Sequence, residues 1–351
     1  MASTAVARSP LAAVALVLLL ASGRAGAQPA SMDAIDQMQG EARLGALVAA
    51  ARKDAEVVVY HSTQSEDLKP LFEAFTKKYG VKVKEWRSSS ENVAQRTISE
   101  ARAGRDVADL IENNSPDMEA LRREKLLRRM ESPHFADMRR GTLGAHHTYA
   151  TSTMDVFVQA YDTDKVKRSE LPKSYRDLLD PRWKGKLGIE AEDSGWFGTL
   201  LDVMGPEEGE KLFHDIVAAN GISARKGHTL LAKLVASGEV PLALTVYNYK
   251  PTQLKAKGEH IDWFVLPPAI AQLHAVAVLA KAPHPYAAAL LYDFFLGDGQ
   301  AILAERNFVP SSRYLPSPIG NTPLRFIDPA EAIDKEAEWR KAFEQTIIRR
   351  H

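Results

Sequence analysis

Hydrophobic residues follow two patterns that alternate along the chain, one typical of strands and one typical of helices. Short valine-rich runs at 56–60 and 81–86 predict strands, and the segment between them predicts a helix. A further helix is predicted over 91–103 and a third strand over 109–111. On the first of these helices the apolar residues share one face: Leu68, Leu71, Phe72, Phe75 and Tyr79. The β-α-β-α-β order favours an α/β protein with mainly parallel sheets flanked by helices.

The rest of the chain continues this alternation. Residues 28–36 are interpreted as a flexible lead, followed by a helix over 42–53. Pro116 fits the first turn of a helix after the third strand. Later strands are predicted at 156–161, 187–189, 240–246 and, as short pieces, within 265–279. Later helices are predicted at 172–179, from Ser194 onward, and at 229–237, 286–296, 299–305 and 330–348.

Polar loops follow the first three predicted strands. They cover 61–65, 88–91 and 112–115. Because ligands of parallel α/β sheets collect beyond the carboxyl ends of the strands, we expect these loops to converge at one edge.

The N-terminal segment Met1 to Ala27 reads as a secretory signal. Arg8 precedes an apolar run from Leu11 to Ala21, and small residues end it before Gln28. The run is too short to span a membrane, which takes about 20 residues. We therefore expect an exported, periplasmic protein that is cleaved after about Ala27 and is not embedded in a membrane.

Charge and cysteine content narrow the classes of function. The 351 residues include 45 basic and 45 acidic residues; without the two arginines of the signal, 43 face 45. This balance gives no electrostatic reason to expect nucleic-acid binding. The absence of cysteine excludes disulfides, thiolate metal sites and a lipoprotein anchor.

Motifs of enzymes are missing from the sequence. It contains no G-x-S-x-G, H-E-x-x-H, Walker A or G-x-G-x-x-G pattern. The carboxylates Glu190 and Glu192 at a strand end are interpreted as solvated. The chain is therefore predicted not to be an enzyme, although a hydrolase or transferase on the same fold stays open as an alternative.

Seven segments, taken in order, resemble the periplasmic solute-binding proteins of ABC importers, in the branch of ferric-ion-binding proteins. The turn P-x-W-K-G-K is the most specific of them. The matching segments are 57–60, 71–83 (LFEAFTKKYGVKV), 108–110, 160–164, 181–186 (PRWKGK), Ser194-Gly195 and 238–241.

The resemblance implies a two-lobe, type II periplasmic-binding-protein fold with the ligand in a cleft and hinge closure on binding. Lobe 1 is expected to comprise 28–149 plus about 265–325, and lobe 2 about 150–264, with a C-terminal helix over about 326–351. An ABC permease and its ATPase subunit are the implied partners of a monomeric protein; a sensor subunit is a further alternative.

The resemblance also implies an iron site that this chain matches only in part. Ferric-binding members use a His, a Glu and two adjacent Tyr, and the corresponding positions here read Gln64, Asn114 and Asn248-Tyr249. Phenolate and carboxylate oxygens suit Fe3+. Substitutes lie nearby, so ferric ion stays an alternative ligand through Tyr247, Tyr249, His61 and Glu112.

The favoured prediction is instead a small anionic solute, of the carboxylate, phosphate or phosphonate type, bound without metal or cofactor. Neutral hydroxyl and amide donors, helix starts and aromatic walls suit such a ligand. The predicted ligand-binding residues are Ser62, Thr63, Gln64, Ser89, Ser90, Asn113, Asn114, Ser115, Ser194, Gly195, Trp196, Tyr247, Asn248 and Tyr249.

Overall fold

The computed structural model describes residues 1–2 and 31–348, so the predicted signal segment lies almost wholly outside the described residues. The first half of the chain alternates strands and helices as the sequence predicts. Its elements are α1 (Met32–Asp36), α2 (Gly40–Asp54), β1 (Glu56–His61), α3 (Ser65–Tyr79), β2 (Lys82–Arg87), α4 (Ser90–Arg102), β3 (Leu110–Asn114), α5 (Ser115–Arg123) and β4 (Ala150–Asp162).

The second half continues with shorter strands. Its elements are β5 (Leu187–Glu190), α6 (Ser194–Met204), α7 (Pro206–Asn220), β6 (Ile222–Arg225), α8 (His228–Ala236), β7 (Leu242–Tyr247), α9 (Tyr249–Ala256), β8 (Ile261–Phe264), β9 (Ala269–Val278), α10 (Pro285–Leu296), α11 (Gly299–Glu305), β10 (Val309–Pro310), β11 (Leu324–Phe326), α12 (Pro329–Asp334) and α13 (Glu336–Phe343), followed by a π-helical turn (Glu344–Ile348).

The strands of the described residues form one continuous path with β4 in common. The order is β2-β1-β3-β9-β4-β7-β5-β6, with β8 and β10 also on β4 and β11 on β9. Strand β4 pairs with β9 over its first half and with β7 over its second half. It therefore belongs to both halves of the molecule.

Pairing in these sheets is mixed, whereas the sequence predicts mainly parallel sheets. The outer pairs β1–β2, β1–β3, β5–β6 and β5–β7 are parallel. The central pairs β3–β9, β4–β9 and β4–β7 are antiparallel. The difference arises because β4 and β9 cross between the two halves in opposite directions.

Hydrophobic packing divides between the two ends of this path. Leu71, Phe75 and Phe295 belong to a core around β1, α2, α3 and α10. Trp196 and Trp339 belong to another around β5, α6, α7 and α13. We take these as the cores of the first and second lobes; the exact lobe boundaries stay a prediction.

Several predicted elements differ in the structure. Residues 32–36 form helix α1 rather than a flexible lead, with the Ser31 hydroxyl accepting from the N–H of Ala34. The predicted C-terminal helix over 330–348 breaks at Lys335 into α12, α13 and the π-helical turn. Residues 265–279 hold one long strand, β9, because both of its edges are paired.

Among the described residues no single helix is long and apolar enough to cross a membrane. Helices α10 and α11 meet the length and composition criteria only as a pair, bent by 52° at their break.

Candidate functional site

The three polar loops after β1, β2 and β3 meet at one edge of the first lobe, as predicted. The N–H of Ser62 donates to the carbonyl of Glu112 at 3.1 Å. The side-chain amide of Asn113 donates to the carbonyl of Ser90 at 2.9 Å. These bonds bring the loops at the carboxyl ends of the three strands together.

Most neutral donors predicted for an anion are used to build the loops. The Ser89 hydroxyl accepts from the N–H of Asn92, and the Asn114 side chain accepts from the N–H of Asp117; both cap helices. The side-chain amide of Asn113 is bonded to the backbone at both its nitrogen and its oxygen. The Ser115 hydroxyl is buried without a partner among the described residues.

The first loop is bound to an acidic side chain. The Thr63 hydroxyl donates to Glu112 at 2.7 Å, and the Ser62 hydroxyl lies 3.4 Å from Nε2 of His274. Gln64 precedes α3 and makes no capping bond with its side chain.

Ligand residues predicted in the second lobe are likewise used in building the fold. Trp196 is 1% exposed and packs in the core, so it does not face a ligand. Asn248 is fully buried and its amide contacts the backbone of Val156 and Asn307. The N-cap of α6 is Asp193; Ser194 and Gly195 form its first turn rather than its cap.

His61, an alternative metal ligand, has both ring nitrogens occupied. Its Nδ1 contacts the carbonyl of Thr63 at 3.0 Å and its Nε2 contacts Glu85 at 2.8 Å. The ring is fully buried, so it holds β1 to β2 in this structure.

Glu112, the other substitute, belongs to a buried ion-pair network. His274 lies between two carboxylates, 2.8 Å from Glu112 and 3.1 Å from Asp155. Burial alone would raise the pKa of Glu112, but the adjacent His274 outweighs it and the net pKa is about 2. Burial likewise opposes the charge of His274, yet the two carboxylates raise its pKa to about 10. Glu112 and His274 are therefore both ionised at neutral pH.

Tyr247, at the end of β7, and Tyr249, at the start of α9, form a stacked pair. Their ring centroids lie 6.2 Å apart with planes 22° apart. Burial raises the pKa of both phenols well above 10, and Asp155 is the next largest cause for each. The phenols therefore lie in a buried region of negative potential.

Helix α9 is fixed beside this pair by a buried ion pair to the first lobe. Nζ of Lys250 lies 2.8 Å from Asp67 of α3, which also accepts from Arg306 at 2.7 Å. Asp67 is fully buried. The contact sets the position of Tyr249 relative to the first lobe.

A third group of ionisable residues lies where β5 and α8 meet. Single ligand atoms of Glu190, Asp193 and His228 come within 4.8 Å of one another. Glu190 is 3% exposed, which corrects its interpretation as a solvated strand-end carboxylate. Its two oxygens accept from the N–H groups of Gly227 and Glu192.

The ring of His228 connects this group to the tyrosines. It lies 3.9 Å from the Tyr247 ring, centroid to centroid, and its Nε2 is 3.3 Å from Asp193. Burial lowers the pKa of His228, but Asp193 outweighs it and the net pKa is about 9. Burial, with Asp193 next, raises the pKa of Glu190 to about 7.

Sequence reasoning missed four of these residues, namely Asp155, Asp193, His228 and His274, as ligand candidates. Asp193 follows strand β5, so the rule that ligands collect beyond the carboxyl ends of strands could have found it. His274 and Asp155 lie inside β9 and β4, where nothing in the local pattern marks a site.

Tyr247, Tyr249, Glu190 and Asp193 thus offer phenol and carboxylate oxygens, which are donors for a cation, beside the imidazole of His228. Arg87 and Lys250 lie nearby, but Arg87 donates to a backbone carbonyl at 3.3 Å and Lys250 pairs with Asp67. Hard oxygen and nitrogen donors of this kind suit first-row transition metals.

Comparison with known proteins places the chain among bacterial transport proteins. A family described as "bacterial extracellular solute-binding protein" matches residues 105–336. The "Fe(3+)-binding periplasmic protein" of Serratia marcescens is 26% identical over 269 residues, 74% of this chain and 79% of the relative. The "major ferric iron-binding protein" of Neisseria gonorrhoeae is 27% identical over 214 residues, 58% and 62% of the two chains.

Solved structures share the fold at lower identity. Iron-bound HitA from Pseudomonas aeruginosa superposes with a TM-score of 0.71 at 23% identity, covering 82% of this chain and 98% of HitA. AfuA from Actinobacillus pleuropneumoniae, with exogenous fructose-6-phosphate bound, gives 0.72 at 17% identity, covering 84% and 98%. At such identities the likeness concerns the fold alone.

Proposed function

We propose that this chain, which belongs to the bacterial extracellular solute-binding proteins, captures ferric ion and delivers it to an ABC importer. The family consists of binding proteins, so the prediction that the chain is not an enzyme is confirmed on that ground. The predicted fold and the resemblance to ferric-ion-binding proteins are also confirmed.

The observation that carries the iron proposal is the stacked pair of phenols among carboxylates. Burial is the largest cause of the raised pKa of Tyr247 and of Tyr249, and Asp155 is the next largest for both; Asp193 adds to the first and Glu112 to the second. A potential that opposes phenolate formation attracts a cation, and a trivalent cation is attracted most strongly. Bound Fe3+ would displace the phenol protons and take both oxygens as ligands.

The same potential counts against the favoured sequence prediction of an anionic solute. An anion entering beside Asp155 would be repelled by two buried carboxylates, Asp155 and Glu112, which share the single cation of His274. Donors that would compensate, such as Asn113 and Asn248, are bonded to the backbone. The names of the Serratia and Neisseria relatives support the same choice.

Export and partners follow from this proposal as expectations. We propose a periplasmic location with cleavage after about Ala27, and an ABC permease with its ATPase subunit as the receiving partners. The protein would act as a monomer whose two lobes close on the ion by a hinge motion.

The test is the visible spectrum of purified, chelator-stripped protein after loading with ferric citrate. Tyrosine-bound Fe3+ should give a phenolate-to-iron charge-transfer band, and Tyr249→Phe should abolish it. Tyr161→Phe is the matched control, because Tyr161 is also a buried tyrosine of the second lobe but packs against Phe264. Absence of the band in the unaltered protein would refute the iron proposal.

The anionic alternative has its own arm of the experiment. Inorganic phosphate and fructose 6-phosphate should bind the stripped protein weakly or not at all in calorimetry. Tight binding of either anion to metal-free protein would instead favour the anion and overturn the proposal.

A further inference from the structure

We propose that Glu190, Asp193 and His228 form a second metal-binding centre, which takes a divalent first-row transition-metal cation in the second lobe. The inference goes beyond the ferric-ion function, because none of its three ligands is one of the two tyrosines. Two carboxylates and one imidazole make a mixed oxygen and nitrogen donor set that suits such cations.

The backbone brings the three side chains together from separate elements. Glu190 ends β5, Asp193 precedes α6, and His228 begins α8. One ligand atom of each lies within 4.8 Å of the other two, so that a single ion can contact all three. Gly227, at φ 102°, takes a backbone conformation that residues with a Cβ rarely adopt, and this turn directs His228 toward the carboxylates.

Two unsatisfied polar atoms, one on each of two of the three residues, add to the geometry of the centre. Oδ2 of Asp193 and Nδ1 of His228 are buried, and neither has a hydrogen-bond partner among the described residues. The Asp193 side chain is 6% exposed. Buried polar atoms without partners are disfavoured in folded proteins because each loses the hydrogen bonds that water gave it.

Asp193 also lacks the helix-capping bond that is usual for aspartate at its position. Aspartate at a helix N-cap normally accepts from the backbone N–H groups of the first turn. Here the Asp193 side chain makes no capping bond to α6 and lies 3.3 Å from His228 instead. A side chain that leaves its cap and keeps one oxygen unpaired is available to a cation.

Glu190 is held ready for the same role. The N–H groups of Gly227 and Glu192 donate to its two oxygens at 2.7 and 2.6 Å, which fixes the plane of the carboxylate. Each carboxylate oxygen has a further lone pair for a metal. Backbone donors of this kind orient metal ligands in known sites.

The experiment uses Co2+ as the probe, with the purified exported chain after chelator stripping. Equilibrium dialysis with visible absorption should find one Co2+ site whose ligand-field bands report the imidazole. Asp193→Asn and His228→Gln, both close in shape to the native residues, should each weaken Co2+ binding at least about tenfold. Circular dichroism and thermal unfolding verify that each variant folds.

A matched control comes from an exposed pair in the same lobe. His260 lies 2.8 Å from Asp164, and both side chains are more than 60% exposed. His260→Gln should leave Co2+ affinity unchanged. Equal affinity in the unaltered protein, Asp193→Asn and His228→Gln would overturn the proposal, as would absence of Co2+ binding.

Failure of this proposal can be told apart from failure of the iron proposal. Tyr249→Phe should keep its Co2+ affinity while it loses the iron charge-transfer band. A chain that binds Co2+ at this centre but gives no iron band would refute only the ferric function. A protein that gives the iron band, but whose Co2+ binding does not depend on Asp193 and His228, would refute only this centre.

Discussion

The two lobes each bury a histidine between carboxylates, and the two arrangements differ in how completely the histidine is bonded. In the first lobe both nitrogens of His274 contact carboxylates, and Glu112 also accepts from Thr63. In the second lobe His228 and Asp193 each keep a buried atom without a partner among the described residues. Each network also keeps one buried carboxylate oxygen unpaired, on Asp155 and on Asp193, so the difference lies in the histidines. The comparison teaches that a histidine bonded at both nitrogens holds the fold, whereas one with an unbonded nitrogen leaves a coordination site for a ligand.

The largest effect is expected from breaking the network around His274. His274→Ala leaves Glu112 and Asp155 buried without their cation, and removing one partner of a buried ion pair costs about 3–5 kcal/mol. Urea unfolding measures the loss. His228→Ala should cost less, since Glu190, whose pKa is already about 7, can take up a proton. Equal losses for the two variants would contradict the distinction between the networks.

A second expected effect is a loss of stability in alkali. The pKa of His274 is about 10 in the folded protein and 6.5 ordinarily, so its contribution is complete below pH 6.5. That contribution declines as the pH rises through 10, because the folded state then loses the proton that it bound more tightly. The free energy of unfolding should fall between pH 7 and 10, and His274→Gln should flatten this fall. An equally steep fall in the variant would assign it to other groups.

A smaller effect concerns Asp155, which lies between the two regions. Asp155→Asn removes the carboxylate that most opposes ionisation of Tyr247 and Tyr249 after burial itself. The weaker negative potential should reduce ferric affinity about tenfold, or about 1.4 kcal/mol, while the charge-transfer band persists. Competition with citrate measures the affinity. Asp162→Asn, a buried carboxylate on the same strand, should leave the affinity unchanged.

Periodicity and strand-end rules predicted the first-lobe strands, the helix over Leu68 to Tyr79 and the convergence of three loops. These features depend on local pattern and on one general property of parallel sheets. The two lobes were predicted from the family resemblance, because local pattern does not show how elements divide between lobes.

The ionisable groups were harder to predict because their partners are distant in sequence. His274 meets Glu112 across 162 positions, and the pairing exists only because β3 and β9 lie side by side in antiparallel register. The many serines and asparagines suggested neutral recognition, yet Ser89 and Asn114 serve as helix caps. Capping is a frequent use of these residue types, and sequence alone does not separate it from ligand binding.

The irregular pairing of strand β4 determines where the chain can bend when two lobes joined by it move apart. Its pairing slips between Thr151 and Thr153 and again between Val158 and Ala160, and such irregularities increase local twist and bending. Asp155 lies midway between these two pliable points. If the lobes rotate about β4, displacement grows with distance from the strand and is smallest at its centre. Asp155 would then stay near the pivot, keeping its charge beside the incoming ion whether the lobes are apart or together.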